Sequence, residues 1–194
     1  MKLVLFEQAI GCDSCAAARR VVDDLVGLSP NVTREVLNLV IDKDRAAALG
    51  VDRVPAVVVS GPAGNRMRFY GAPTGYELAS LAAAIELTAG GSAGLAENTR
   101  ARLSAVTKPV QIQVFFTPSC VYCPQMVVLA CRFAVESPFI SAIAIDATEY
   151  PDLVQRYRVN GVPKTVINDA AEIVGAAGED LLVDAVLEAV ATTK

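Results

Sequence analysis

Apolar residues cluster along the chain in two alternating rhythms. Short β-branched or aromatic runs at 2–6, 35–41, 54–60 and 66–70 read as strands. Stretches with helical spacing at 14–27, 43–49 and 75–88 lie between or after them, the first ended near Gly27 and Pro30. The same succession returns further on. Helix 95–106 and strand 110–116 are followed by helix 121–136, strand 141–146, short helix 150–157, strands 164–168 and 171–175, and helix 179–191. The run Gly90-Gly91-Ser92-Ala93-Gly94 has the composition of a linker. Each half therefore reads β-α-β-α-β-β-α, with one extra helix ahead of the second. The expected class is α/β, a central mixed sheet flanked by helices and built twice, in units 1–90 and 91–194.

A shift of 108 positions superposes the halves: Cys12 and Cys15 move onto Cys120 and Cys123. Val54 and Pro55 move onto Val162 and Pro163, so each CxxC is followed by a Val-Pro whose Pro lies 43 positions after the first Cys. Both Val-Pro pairs lead into an apolar strand, and both middle strands close on an Asp, Asp42 and Asp146. One CxxC arises easily by chance; two with the same companion at the same offset do not.

Composition narrows the chemistry. The chain has 194 residues, 53% of them hydrophobic, with 17 Lys and Arg against 21 Asp and Glu. A net charge of −4 disfavours nucleic acid or an anionic membrane as the main partner. There is no His, which removes Ser-His and Cys-His nucleophile pairs and imidazole bases. Five cysteines are too few for a disulfide-stapled secreted fold, and four apolar residues after Lys2 are too few for a signal-peptide core, so the expected location is cytoplasmic. The 23 residues without formal charge between Lys108 and Arg132 are long enough to span a membrane. They contain Gln111, Gln113, Pro118, Ser119 and Gln125, and alternate as a strand does before a turn and a buried helix.

Each CxxC falls between a strand and a helix. Unpaired N–H groups and the positive helix end favour thiolate on its first Cys, and the second lies one turn on, within disulfide reach. Cys12 and Cys120 are thus candidate attacking thiols, Cys15 and Cys123 candidate resolving thiols. Asp13 opposes thiolate at Cys12, whereas Val121 and Tyr122 add no charge beside Cys120, which makes Cys120/Cys123 the expected principal site. Neither pair holds the His of strongly oxidising dithiols, which favours reduction over oxidation. A cis bond at Val54-Pro55 or Val162-Pro163 would leave backbone free for an extended substrate, with Tyr122 shaping the groove. A shared zinc or iron–sulfur site is the competing use of four cysteines, although zinc ribbons keep their pairs far closer in sequence. Cys131 reads as a core residue, Lys164 as a surface charge, and Glu7 as a solvated strand-end charge or a proton acceptor for Cys15.

Taken together, CxxC at a helix start and Val-Pro downstream resemble the thioredoxin fold. Two such units in one chain, with Phe69-Tyr70-Gly71-Ala72-Pro73-Thr74-Gly75-Tyr76-Glu77-Leu78, Phe115-Phe116-Thr117-Pro118-Ser119-Cys120-Val121-Tyr122-Cys123-Pro124 and Asn160-Gly161-Val162-Pro163-Lys164, resemble the glutaredoxin-like protein disulfide oxidoreductases and the N-terminal domain of the alkyl hydroperoxide reductase flavoprotein subunit. The resemblance implies thiol–disulfide exchange on protein disulfides at Cys120/Cys123 and Cys12/Cys15, no bound cofactor, and no metal. It implies electrons from NADPH through a thioredoxin-reductase-type flavoenzyme, and in some members delivery to a peroxiredoxin. The chain departs from the family in starting at a strand, where the first unit usually has a helix; the expected consequence is a less covered sheet face there.

Overall fold

The computed structural model describes residues 1–192. Its first half runs β1 (Lys2–Glu7), α1 (Cys15–Leu28), β2 (Thr33–Asn38), α2 (Lys43–Ala48), β3 (Ala56–Gly61), β4 (Gly64–Tyr70) and α3 (Glu77–Thr88). The second runs α4 (Glu97–Leu103), β5 (Val110–Phe116), α5 (Cys123–Glu136), β6 (Ile140–Asp146), α6 (Pro151–Arg156), β7 (Lys164–Ile167), β8 (Ala171–Val174) and α7 (Glu179–Thr192). Every expected element is present, with ends displaced by a few residues. The stretch that could have spanned a membrane is divided into β5, a turn and α5. No helix among the described residues is long and apolar enough to cross one.

The eight strands form one sheet in the order β2-β1-β3-β4-β6-β5-β7-β8. Each half contributes four strands in the same internal order, and the halves join where β4 pairs in parallel with β6, Met67–Tyr70 against Ala142–Ile145. Tracing the pairings from β1 through antiparallel β3 and β4 to β6 and β5 leaves β1 and β5 pointing the same way. The loops that follow them, each carrying a CxxC, therefore emerge at the same end of the sheet.

Burial on both faces explains why the central strands are almost wholly apolar. One face packs Leu3, Leu5, Val57, Val59, Ile112 and Val114 under α1, α3, α5 and α7; the other packs Val4, Phe6, Val58, Phe115 and Ile145 under the shorter α2 and α6. Among the described residues no helix of the first half corresponds to α4, yet the sheet face there is not thinly covered: Leu3, Leu5, Val57 and Val59 are all 0% exposed. Helix α3 lies against α5 of the other half, and Ala93 and Leu95 of the connecting segment join the same cluster.

At the join, Gly71 ends β4 with φ +95°, and a Cβ there would stand 2.6 Å from the Asp146 Cβ and 3.0 Å from a Glu149 carboxyl oxygen. The backbone conformation and the crowding both exclude a side chain. Gly71→Ala is expected to cost about 2–4 kcal/mol, read as a lower denaturant midpoint with unchanged slope. A neutral outcome would mean the turn relaxes freely.

Candidate active site

In the second half β5 stops at Phe116 and α5 starts at Cys123, after a turn in which the Cys120 N–H donates to the Thr117 carbonyl at 3.0 Å. Cys120 is half-buried, Cys123 fully buried, and the two are joined as a disulfide with Cα atoms 5.5 Å apart. Pro124 follows in the first turn, where a missing N–H costs nothing. Val121 and Tyr122, 57% and 66% exposed, present an apolar rim around the pair. The first half repeats this design: Cys12 half-buried, Cys15 buried at the start of α1, and a disulfide with Cα atoms 5.4 Å apart. In both pairs the first Cys is the more exposed and the second is buried, Cys123 at 0% within the core and Cys15 at 7% at its edge, which suits an outer nucleophile and a shielded resolver.

Val54-Pro55 and Val162-Pro163 are both cis. The Pro55 carbonyl accepts from the Gly71 N–H at 3.0 Å, and the Pro163 carbonyl from the Gly175 N–H at 2.8 Å. Val162 and Cys120 pack against the same apolar cluster. Among the described residues no group of three or more His, Cys, Asp or Glu stands close enough together to hold a metal ion, and the four motif cysteines stand as two separate pairs.

Other residues depart from expectation. Lys164 is not a surface charge: its side chain is buried, and Nζ donates to the Tyr157 carbonyl at 2.8 Å and pairs with Glu172 at 2.7 Å, across the β7–β8 ladder. Glu7 is partly buried and not a lone strand-end charge; it binds the Arg19 guanidinium, Nε at 3.1 Å, and lines a depression of about 430 Å³ with Cys12 and Cys15. Cys131 lies in the core as expected, and burial pushes its thiol up to about 12, so it stays protonated and inert.

Two features escape a reading of the sequence. Glu77 opens α3 and is 0% exposed. Neither of its carboxyl oxygens has a well-formed hydrogen bond among the described residues. Burial pushes its pKa up to about 7; the facing Ser80 hydroxyl offsets this in part, and Asp146 adds to it. Tyr76, its neighbour, donates its N–H at 3.1 Å to the carbonyl of Pro118, two residues before Cys120, so α3 of the first half begins beside the second dithiol. The available signal was an acid heading an otherwise Ala/Leu-rich helix. The second feature is Ser14, whose hydroxyl donates to Glu149 of the other half, 135 positions away.

A family described as Thioredoxin domain matches residues 110–188. A protein disulfide oxidoreductase from Aeropyrum pernix K1 superposes with a TM-score of 0.86 at 31% identity, over 95% of this chain and 83% of that one. The chain belongs to the protein disulfide oxidoreductase family. This chain carries two thioredoxin-like folds sharing one sheet, each with a CxxC disulfide at a helix start. The same fold occurs in the alkylhydroperoxide reductase AhpF of Enterococcus faecalis, with a TM-score of 0.87 at 24% identity over 95% of this chain and 89% of that one. Among curated relatives, the alkyl hydroperoxide reductase AhpF of Pseudomonas aeruginosa is 26% identical over 167 residues, 84% of this chain. The chain spans 30% of that protein's length.

Proposed function

We propose that the chain reduces and exchanges protein disulfides through both dithiols, with Cys120/Cys123 the principal site. The observation that carries this is the pairing of a half-exposed first Cys with a buried second Cys at the start of α5, repeated at α1. In the forward half-reaction the Cys120 thiolate attacks a substrate disulfide. That S–S bond breaks, a mixed disulfide forms, and the substrate's other sulfur leaves and takes up a proton. Cys123 then gives up its proton and attacks the Cys120 sulfur, closing the protein disulfide and releasing the second substrate thiol. Two electrons and two protons pass to the substrate. Glu77, buried near this turn and titrating near neutrality, is a candidate acceptor for the Cys123 proton.

In this reading Val162, Pro163 and Tyr122 border the substrate groove at the second site and Val54 and Pro55 at the first, while 1–90 and 91–194 act as the two units. Reducing equivalents come from NADPH through a thioredoxin-reductase-type flavoenzyme in the cytoplasm, with no cofactor bound to the chain. Likeness to the alkyl hydroperoxide reductase AhpF favours a second reading, electron delivery to a peroxiredoxin; hydroperoxide consumption with and without an added peroxiredoxin separates the two.

The direct test equilibrates the protein in defined dithiol buffers, then alkylates it differentially and reads each Cys by mass spectrometry. Both pairs are expected to close as intramolecular disulfides at potentials between about −200 and −320 mV. Thiols that never pair, or that become accessible only after a chelator is added, would instead establish a metal-binding module.

A further inference from the structure

We propose that Glu149, supplied by the second half, is a positioning residue of the first dithiol: it fixes Ser14 between Cys12 and Cys15 and holds beside them a negative charge that opposes thiolate formation. The inference rests on reading Cys12/Cys15 as an exchanging pair. Ser14 occupies the N-cap of α1, where a hydroxyl ordinarily accepts from the helix, yet its side chain makes no capping bond. Its hydroxyl donates instead to Glu149 Oε2. Glu149 Oε1 accepts the Ala72 N–H at 2.8 Å. The carboxylate is thereby held from two sides, in a space that Gly71 leaves open by having no Cβ.

The charges around Cys12 and Cys15 are unequal. Glu7 and Arg19 cancel each other as an ion pair, and Arg20 lines the same depression from an exposed position. Against Arg20 stand Asp13, next to Cys12 in sequence, and Glu149 from across the join, with Asp146 behind it near Gly71. The positions matching Asp13, Ser14 and Ala16 in the second motif hold the uncharged Val121, Tyr122 and Pro124, and the carboxyl near that site, Glu77, heads α3 and makes no hydrogen bond to the motif among the described residues. Thiolate formation stabilises a reduced dithiol, so opposing it makes Cys12/Cys15 harder to reduce and a readier electron donor than Cys120/Cys123. A carboxylate of the second half thus adds to Asp13 in giving the two sites unequal reducing strength.

The test is a site-resolved titration of the whole chain in dithiothreitol buffers. Reduced dithiothreitol breaks the Cys12–Cys15 bond, two S–H groups form on the protein, and dithiothreitol closes its own disulfide, so two electrons and two protons are transferred. Glu149→Gln is expected to shift the Cys12/Cys15 equilibrium toward the dithiol by about three- to tenfold at pH 9.5, where thiolate is populated. At pH 6 both thiols are protonated and the shift should nearly vanish, a dependence that mere loosening of the turn would not produce. Cys120/Cys123 serves as the internal control and should move less than about twofold. Glu149→Ala should reproduce the shift, and Glu149→Asp, which keeps the charge, should stay near the parent. An equal shift at both pH values, equal movement of both pairs, or no shift at pH 9.5 overturns the inference. Failure of Cys12/Cys15 in the parent chain to exchange with dithiothreitol overturns the reading of that pair and the inference with it.

Discussion

Cys120→Ser is expected to lower the rate of insulin disulfide reduction by about a hundredfold or more, because it removes the outer sulfur of the better-placed dithiol. An ordinary thiol is only about 3% thiolate at pH 7, so small differences in surroundings translate directly into reactive fraction. Cys120 sits at the head of the 14-residue α5, with neutral Val121 and Tyr122 following it. Cys12 heads an equally long helix, but Asp13 and Glu149 oppose its charge. Cys12→Ser should therefore cost less than about tenfold. Cys123→Ser should trap a mixed disulfide on Cys120, visible as a covalent substrate adduct that added dithiothreitol releases. Equal losses from the Cys12 and Cys120 substitutions would refute a principal second site. A larger loss from Cys12→Ser would reverse the order of the sites.

Glu77 governs the second large effect, the dependence of stability on pH. Its carboxyl has an ordinary pKa in the unfolded chain and one pushed up to about 7 in the fold. Between those values the native state holds a proton that the unfolded state has lost, so stability falls as pH rises from about 4.5 to 7 and then levels off. The full difference is on the order of 3 kcal/mol. Glu77→Gln removes the ionisation while keeping the shape. It should match the parent near pH 4.5 and exceed it at pH 8 by about 6–12 °C in thermal midpoint. The same substitution should remove from the rate of mixed-disulfide resolution any inflection near neutrality. An identical pH slope of stability in both proteins would mean that Glu77 stays solvated and ionised.

How much of this was legible depends on how far each interaction reaches along the chain. The repeat, the element order and both dithiols lie within local patterns, and Cys12, Cys15, Cys120 and Cys123 announce themselves by spacing. The pairing of β4 with β6 does not, because any apolar strand edge could have served as the join. Lys164 illustrates the limit of residue-type reasoning: its position after Pro163 reads as exposed, yet β8 sets Val174 opposite it and Glu172 two residues along, and the covered ammonium finds its partners in the exposed Glu172 carboxylate and the Tyr157 carbonyl. Glu77 and the Ser14–Glu149 contact are hidden for the same reason, since what buries or binds them comes from the other half. The expectation of a thinly covered first unit failed because α3 rests on α5, a neighbour that the unit on its own would not have.

Joining the halves through β4 and β6 also changes how the molecule meets other chains. Two separate four-stranded sheets would expose four rows of unpaired backbone groups, each a template for unwanted strand addition. The continuous sheet leaves two, β2 and β8, and both are short, six and four residues, and carry charge at Arg34, Glu35 and Glu172. The fusion covers two rims of seven residues each, β4 and β6, and β4 carries Met67, Phe69 and Tyr70 along it. A chain cut at the 90–94 segment would present that apolar rim to solvent, so self-association of the severed first half is the hazard that tandem construction prevents.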